Sequence, residues 1–158
     1  MDDAAKKTIL RMIPYGLYLL GARDGGNQTV ATVNWVTQTA FAPPLVVIGV
    51  KGDSGAHAML KSSRKFALSM LKSGQKDMAY AFFKHVEPEG NSIGGFAFTP
   101  AENGCPTLDD TAGYVAGDVL DILENGDHSV VVCQVTEAKK HADADILTLK
   151  EIGANYGG

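Results

Sequence analysis

The stretch from Lys51 to His57 reads Lys-Gly-Asp-Ser-Gly-Ala-His and carries side chains suited to holding an anion. An apolar run ends at Val50, a glycine-containing loop follows, and Ser54 is well placed to cap a helix. Free N–H groups at such a helix start, with the Ser54 hydroxyl, Lys51 and His57, could bind a phosphate. The same residues also fit an ordinary capped helix with a solvated lysine before it.

A second polar stretch, Thr32 to Thr39, interrupts a segment that is otherwise typical of a buried strand. Asn34, Thr37 and Gln38 carry amide and hydroxyl groups, and burying one without a partner costs roughly 1–3 kcal/mol. A heteroaromatic ligand with alternating donors and acceptors, such as a flavin ring, could be that partner. An edge strand with its polar groups in water explains the pattern equally well, and Trp35 fits either a core or a ligand platform.

A third candidate is the tight turn Gly126-Asp127-His128. Histidine titrates near neutrality, so His128 could handle a proton or contact a nucleotide. A turn histidine is also a common surface residue, and the tripeptide alone leaves the choice open.

Composition excludes several classes of protein. The chain has 158 residues, 45% hydrophobic and 20% charged, which is typical of one globular domain, so we expect a single domain over residues 1–158. A net charge of −4 without a basic run argues against a nucleic-acid partner. The longest apolar run, Leu45 to Val50, is too short to span a membrane. The acidic start Met1-Asp2-Asp3 is unlike a signal peptide, so we expect a cytoplasmic protein.

The motifs of several common sites are missing. The two cysteines, Cys105 and Cys133, have no C-x-x-C spacing, which argues against a disulfide framework or a zinc site. The sequence contains no G-x-G-x-x-G, Walker loop or G-x-S-x-G. If a nicotinamide cofactor is used, it is not held by a Rossmann unit.

Hydrophobic periodicity and turn residues predict a mainly β protein with helical additions. Because strands and helices do not alternate regularly, a closed β-barrel is favoured over a doubly wound sheet. A loop rich in Gly and Pro is predicted over residues 87–106. The predicted helices are residues 4–13, 55–63 and 76–84, and the predicted strands are residues 15–22, 29–37, 45–50, 66–71, 113–123, 129–138 and 146–150.

Taken in order, these segments resemble the flavin reductase-like family of FMN-binding split β-barrels, including stand-alone flavoredoxins and the C-terminal domain of cyanobacterial flavodiiron proteins. The likeness extends from about Pro14 to the C-terminus. It is carried by Thr32–Gln38 with Phe41, Pro43 and Pro44 behind it, by Phe66–Leu71, by Pro100–Pro106 and by Gly126–His128.

The resemblance implies an oxidoreductase that moves hydride from NADH or NADPH to FMN, usually as a homodimer. The electrons would pass on to free flavin, oxygen or a redox protein, and no side-chain acid or base would be required. By position, Asn34, Trp35, Val36, Thr37 and Gln38 would border the flavin ring and ribityl chain. Lys51, Ser54, Ala56 and His57 would surround the phosphate, His128 would lie close to the flavin or the nicotinamide, and Tyr156 would cover part of the cofactor.

One departure from the family pattern supports a different class of function. Ser92 stands where flavodiiron relatives carry Arg, which removes a cation that could hold a phosphate or nucleotide. A non-enzymatic FMN protein, either an electron carrier or a flavin store or sensor, is therefore the alternative. A third candidate, the pyridoxamine phosphate oxidase-like barrel, is disfavoured by the Asn34–Gln38 and Gly126–His128 motifs.

Overall fold

The computed structural model describes all 158 residues and is built mainly from antiparallel strands. Its helices are α1 (Asp3–Leu10), α2 (Gly55–Ser63) and α3 (Lys76–Ala81). Its strands are β1 (Tyr18–Asp24), β2 (Asn27–Val33), β3 (Val36–Phe41), β4 (Pro44–Lys51), β5 (Lys65–Met70), β6 (Pro88–Glu89), β7 (Ser92–Ile93), β8 (Phe96–Pro100), β9 (Pro106–Leu108), β10 (Gly113–Leu123) and β11 (His128–Lys140). None of the helices is long and apolar enough to cross a bilayer.

Seven strands form one sheet in the order β2-β1-β5-β10-β11-β4-β3. Laid flat, its edge strands would lie roughly 29 Å apart, since neighbouring strands are about 4.8 Å apart. Only Asn34 and Trp35 separate the end of β2 from the start of β3, and that link spans at most about 11 Å. The sheet must therefore curl until its two edges approach, which produces a split barrel.

The barrel differs from the closed one that the strand pattern predicts, because β2 and β3 are not hydrogen-bonded neighbours. We call the gap between these edge strands, bridged by Asn34 and Trp35, the seam. Part of the free edge of β2 is satisfied from outside the sheet, where the Thr32 N–H donates to the Phe82 carbonyl at 3.1 Å. The seam is the only place where the wall of the barrel lacks a strand-to-strand ladder.

Two large apolar clusters and a smaller third one pack against the sheet. The first fills the barrel and is covered by α2, with Ile48, Leu60, Phe66 and Val131 fully buried within it. The second lies beneath α3 and the small sheet of β6 to β9, around residues such as Leu71. These clusters fix the wall strands and leave the seam as the place where a ligand could enter.

Several predicted elements need correction. The single strand predicted over 29–37 is broken at the seam into β2 and β3, and the loop predicted over 87–106 contains the strands β6 to β8. The strand predicted over 146–150 is absent, since that segment makes only the single bridge pairs Gly16–Thr148 and Lys72–Ile146. Helix α1 ends at Leu10 rather than reaching residue 13, whereas α2 has the predicted bounds.

Candidate functional site

Strand β4 brings the three candidate motifs together. In the antiparallel ladder between β4 and β11, His128 lies opposite Lys51, so the phosphate motif and the turn histidine are neighbours. The loop after β4 is tied to the same turn, because the Gly52 N–H donates to the Asp127 carbonyl at 2.9 Å. On the other side of β4, the Gly49 N–H donates to the Trp35 carbonyl at 2.8 Å.

A cavity of about 400 Å³ opens at the seam, between the edge of β2 and the end of β4. Its size falls in the range typical of small-molecule sites. We call it the seam cavity. Six predicted site residues line it, namely Asn34, Lys51, Ser54, Ala56, His128 and Tyr156.

Asn34 carries an unsatisfied hydrogen-bond donor at this cavity. The residue is only 7% exposed, and its buried Nδ2 has no hydrogen-bond partner. The residue lies in the link between β2 and β3, where no ladder supplies an acceptor. Because an unpaired buried donor costs roughly 1–3 kcal/mol, the site is suited to a ligand that brings an acceptor.

The start of α2 supplies donors at a second place in the cavity. Ser54 is the N-cap: its Oγ accepts from the His57 N–H at 3.1 Å and donates to the Lys51 carbonyl at 2.7 Å. The N–H groups of Gly55 and Ala56, at the first positions of the helix, have no acceptor within it. The Lys51 ammonium, 3.2 Å from Asp53 Oδ1, adds positive charge beside these N–H groups. The structure therefore contains the capped helix predicted from the sequence, and the start of this helix also presents hydrogen-bond donors for an anion to the cavity.

An aromatic cluster closes the cavity near β11. The ring of His128 lies edge-on to Trp35, with centroids 4.7 Å apart, and Tyr156 packs on Trp35 at 5.4 Å. His128 Nε2 is 2.8 Å from Tyr156 Oη, and His128 Nδ1 is 3.0 Å from Asp127 Oδ1. The hydrogen bond from His128 lowers the pKa of the Asp127 carboxyl, which favours a carboxylate partner for the imidazole.

The other predicted site residues do not line the seam cavity. Trp35, Val36 and Thr37 line a neighbouring cavity of about 700 Å³, which shares Gly49 and His128 with the seam cavity. Gln38 lines neither cavity, and its amide donates to the Ala40 carbonyl at 3.1 Å. His57 is buried with Nε2 2.9 Å from Ser129 Oγ, so its imidazole is turned away from the seam cavity. The structure thus brings together only part of the set predicted from the sequence.

Some residues of the seam cavity are absent from the sequence-based prediction. Gly49 contributes backbone from the middle of β4, and Phe83 and Asn155 contribute side chains from distant parts of the chain. Gly49 had a visible signal, a lone glycine between valine and isoleucine residues of a strand. Phe83 and Asn155 had none, because only the curl of the sheet brings their segments to the seam.

A split barrel with a cofactor-sized cavity at its seam defines the class of protein, and comparison with known proteins identifies the family. Residues 10–155 match the family model described as the flavin reductase like domain. The chain therefore belongs to the flavin reductase-like family. The family resemblance found in the sequence is therefore confirmed.

Two curated relatives and two solved structures illustrate the match. Over 160 residues the chain is 29% identical to diflavin flavoprotein A 1 of Synechocystis sp., covering 99% of this chain but 28% of that protein. It is 27% identical to the reductase component of a 4-nitrophenol monooxygenase from Rhodococcus opacus, covering 88% of this chain and 73% of that one. NADH:FAD oxidoreductase SgcE6 of Streptomyces globisporus superposes with a TM-score of 0.76 at 25% identity, covering 86% and 81% of the two chains. Flavin reductase PheA2 superposes with a TM-score of 0.78 at 20% identity, covering 94% and 93%.

Proposed function

We propose that the chain binds FMN in the seam cavity and reduces it with NADH or NADPH. The single observation that carries the proposal is the pairing of Asn34 with the start of α2 in one cavity. Asn34 offers an unpartnered buried donor, and α2 offers free N–H groups beside Lys51. A ligand with a polar ring at one end and a phosphate at the other would satisfy both.

The phosphate end of the proposed ligand would lie at the N-terminus of α2. The partial positive charge of a helix N-terminus and the N–H groups of Gly55 and Ala56 favour an anion there. The Lys51 ammonium would leave its ion pair with Asp53 and bind the phosphate. That charge-assisted hydrogen bond is worth about 1.5–3 kcal/mol before solvent screening. Ser54 would keep its capping bond to His57 while its hydroxyl turns from the Lys51 carbonyl toward the phosphate.

The ring end would lie at the seam, where Asn34 Nδ2 would donate to a carbonyl or ring nitrogen of the flavin. FMN, when bound, supplies the redox chemistry by accepting two electrons and a proton from a nicotinamide. The chain would contribute orientation, donors for the charge that develops on reduction, and exclusion of water. His128, fixed by Asp127, would border the side from which the nicotinamide approaches.

The names of relatives support this assignment. The Rhodococcus opacus protein is a reductase component, and SgcE6 is named an NADH:FAD oxidoreductase. A Thermus thermophilus neighbour with a TM-score of 0.71 is named an FMN-binding protein. The chain spans about a quarter of the length of the diflavin flavoprotein, so the activity of that larger protein does not transfer as a whole.

We also propose that the protein is a homodimer. Phe41, at the end of the edge strand β3, is a large apolar side chain that is 91% exposed. Aromatic side chains are enriched in protein–protein interfaces, so this residue is suited to a contact between two copies of the chain. Light scattering on a sizing column is expected to give twice the monomer mass, and Phe41→Glu is expected to shift it toward the monomer. A monomeric wild-type protein at micromolar concentration would reject this proposal.

The function is tested by anaerobic reduction of the FMN-loaded protein. Mixing with NADH or NADPH should bleach the flavin band, and no bleaching with either nucleotide would reject the reductase. Tight FMN binding without bleaching would support the alternative of an electron carrier or flavin store.

The position of the phosphate is tested by comparing FMN with riboflavin, which lacks it. The double variant Lys51→Ala, Ser54→Ala should weaken FMN binding by about 1.5–3 kcal/mol, roughly 10- to 150-fold, and leave riboflavin binding nearly unchanged. Lys61→Ala is the matched control. Lys61 lies on α2 and its side chain is about as exposed as that of Lys51, but it pairs with Glu124 at 2.9 Å. Equal weakening of both flavins would contradict the phosphate assignment.

A further inference from the structure

Both ring nitrogens of His128 are engaged in hydrogen bonds, and one of these bonds is made by Tyr156 of the C-terminal tail, residues 153–158. His128 Nε2 is hydrogen-bonded to Tyr156 Oη at 2.8 Å, and His128 Nδ1 is hydrogen-bonded to Asp127 Oδ1 at 3.0 Å. With both ring nitrogens engaged, His128 can contact an incoming molecule only if one of these bonds is released. Tyr156 is the more replaceable partner, because Asp127 belongs to the β10–β11 turn and its carbonyl is tied to Gly52.

The attachment of the tail beyond Ala154 is light. Ala154 packs against the apolar cluster beneath α3 and its N–H donates to the Leu149 carbonyl at 3.3 Å. Beyond Ala154 the tail is held by the Tyr156–His128 hydrogen bond and by one from Arg11 Nε to the Gly157 carbonyl at 3.0 Å. Neither a helix nor a strand stabilises residues 155–158. Few bonds must therefore break for the tail to move as a unit hinged at Ala154.

The tail also separates two cavities. A further cavity of about 520 Å³ shares Leu149, Ala154, Asn155 and Tyr156 with the seam cavity. We call it the basic cavity, since Arg11 and Lys150 line it and no carboxylate does. Neither cation forms an ion pair with a carboxylate. Withdrawal of Tyr156 would join the two cavities into one longer groove with a basic outer end.

We propose that residues 155–158 form a gate between the seam cavity and the basic cavity, latched by the Tyr156–His128 hydrogen bond. The ligand that opens it is a dinucleotide: its ring displaces Tyr156 from His128, and its diphosphate binds at Arg11 and Lys150. The assignment of the dinucleotide as NADH or NADPH rests on the proposed function.

The latch is tested first without any cofactor. Trp35 is the only tryptophan, and it lies under Tyr156 with its Nε1 buried. Tyr156→Phe keeps the covering ring and removes only the hydroxyl, so it exposes Trp35 only if the tail detaches. We expect acrylamide to quench Trp35 fluorescence more strongly in Tyr156→Phe than in the wild type. Tyr80→Phe is the control, because Tyr80 is as exposed as Tyr156 and its hydroxyl makes no hydrogen bond. Quenching equal to that of the wild type overturns the latch.

The ligand is tested with the FMN-loaded protein. Since a hydrogen bond is worth about 0.5–1.5 kcal/mol, Tyr156→Phe should lower the KM for the nicotinamide nucleotide, measured at saturating FMN, about 2- to 12-fold. If the wild type oxidises the nucleotide but the KM of the Tyr156→Phe protein is unchanged or raised, the gate is overturned and the proposed function is not. Failure of the wild type to bind and oxidise either nucleotide overturns the proposed function together with the nucleotide assignment, while the quenching result still decides the latch.

Discussion

Gly49 leaves the space that Trp35 occupies. A Cβ at position 49 would lie 2.9 Å from Cε3 and 3.0 Å from Cβ of Trp35, closer than carbon atoms pack in proteins. The Gly49 N–H also donates to the Trp35 carbonyl, so the two backbones cannot easily separate. Trp35 in turn packs on His128 and Tyr156, which limits where its ring could move. Gly49 therefore fixes the residue that bridges the seam.

Gly49→Ala is expected to lower the free energy of unfolding by about 1–3 kcal/mol, the usual cost of overpacking. Because Trp35 is the only tryptophan, its emission maximum should shift in the folded variant. Urea unfolding followed by fluorescence measures both effects. Gly26→Ala is the control, since a Cβ there meets nothing within 4 Å and its φ is ordinary. A Gly49→Ala protein as stable as the Gly26→Ala protein would show that Trp35 is not held by this contact.

Ser54→Asp should separate the capping role of Ser54 from phosphate binding. Asp is as good an N-cap as Ser, and a negative charge is favourable at a helix start, so the Tm should be unchanged or slightly higher. The same charge would repel a phosphate at the N–H groups of Gly55 and Ala56. The Kd for FMN should rise at least about tenfold, or about 1.4 kcal/mol, while that for riboflavin stays constant.

Ser54→Ala provides the contrasting variant, because it removes the cap without adding charge. It should cost about 1 kcal/mol of stability and weaken FMN less than Ser54→Asp does. Isothermal titration with both flavins and a thermal melt of each apoprotein supply the comparison. Normal FMN affinity in the Ser54→Asp protein would mean that the phosphate binds away from α2.

Local chemistry in the sequence was enough to predict α2. Ser54 has the cap preference, and the apolar residues after it have helical spacing, so the predicted and observed bounds agree. The β10–β11 hairpin was equally accessible, because Asn125-Gly126 is a strong turn signal between two apolar runs. Each of these features depends on residues that are close together in the chain.

The seam was not predictable from local pattern. The polar residue Asn34 is visible in the sequence, but β-branched residues lie on both sides of Asn34 and Trp35, so the local pattern does not mark the point where the chain changes from one sheet edge to the other. The imidazole of His57 was expected at the phosphate because its position in α2 is right, but a partner distant in sequence, Ser129, holds it on the buried side. The direction of a helical side chain depends on what packs against the helix, and a single sequence does not record that.

The two cysteines should be inert in the folded protein. Burial raises the pKa of Cys133 from its ordinary value of 9.0 to about 12, and that of Cys105 to about 11. A thiol-reactive disulfide reagent at pH 8 should therefore modify neither residue in the native state and both in guanidinium chloride. Modification of the native protein at the rate of a free thiol would contradict this.

The same pKa shifts predict how stability depends on alkaline pH. As the pH rises above 9, thiols of the unfolded chain ionise before those of the folded chain, so stability is full below pH 9 and is lost as the pH approaches 11–12. Between pH 8 and pH 10 the wild type should lose more free energy of unfolding than the Cys105→Ala, Cys133→Ala double variant. Guanidinium unfolding at the two pH values measures this loss. If the wild type and the double variant lost the same free energy of unfolding, groups other than the cysteines would cause the alkaline sensitivity.

Asn34→Leu should move stability and cofactor affinity in opposite directions. Leu has a similar size and removes the buried Nδ2 that lacks a partner, so the apoprotein should be as stable as the wild type or more stable, by up to about 1–3 kcal/mol. The Kd for FMN and for riboflavin should rise together by about tenfold or more, because the donor to the ring is gone. Asn103→Leu is the matched control: Asn103 Nδ2 donates to the Phe66 and Gly117 carbonyls at 2.9 and 3.0 Å, and its loss should destabilise the protein. If Asn34→Leu instead destabilised the apoprotein as Asn103→Leu does, Asn34 would be a structural residue, and the ring of the flavin would need a different donor.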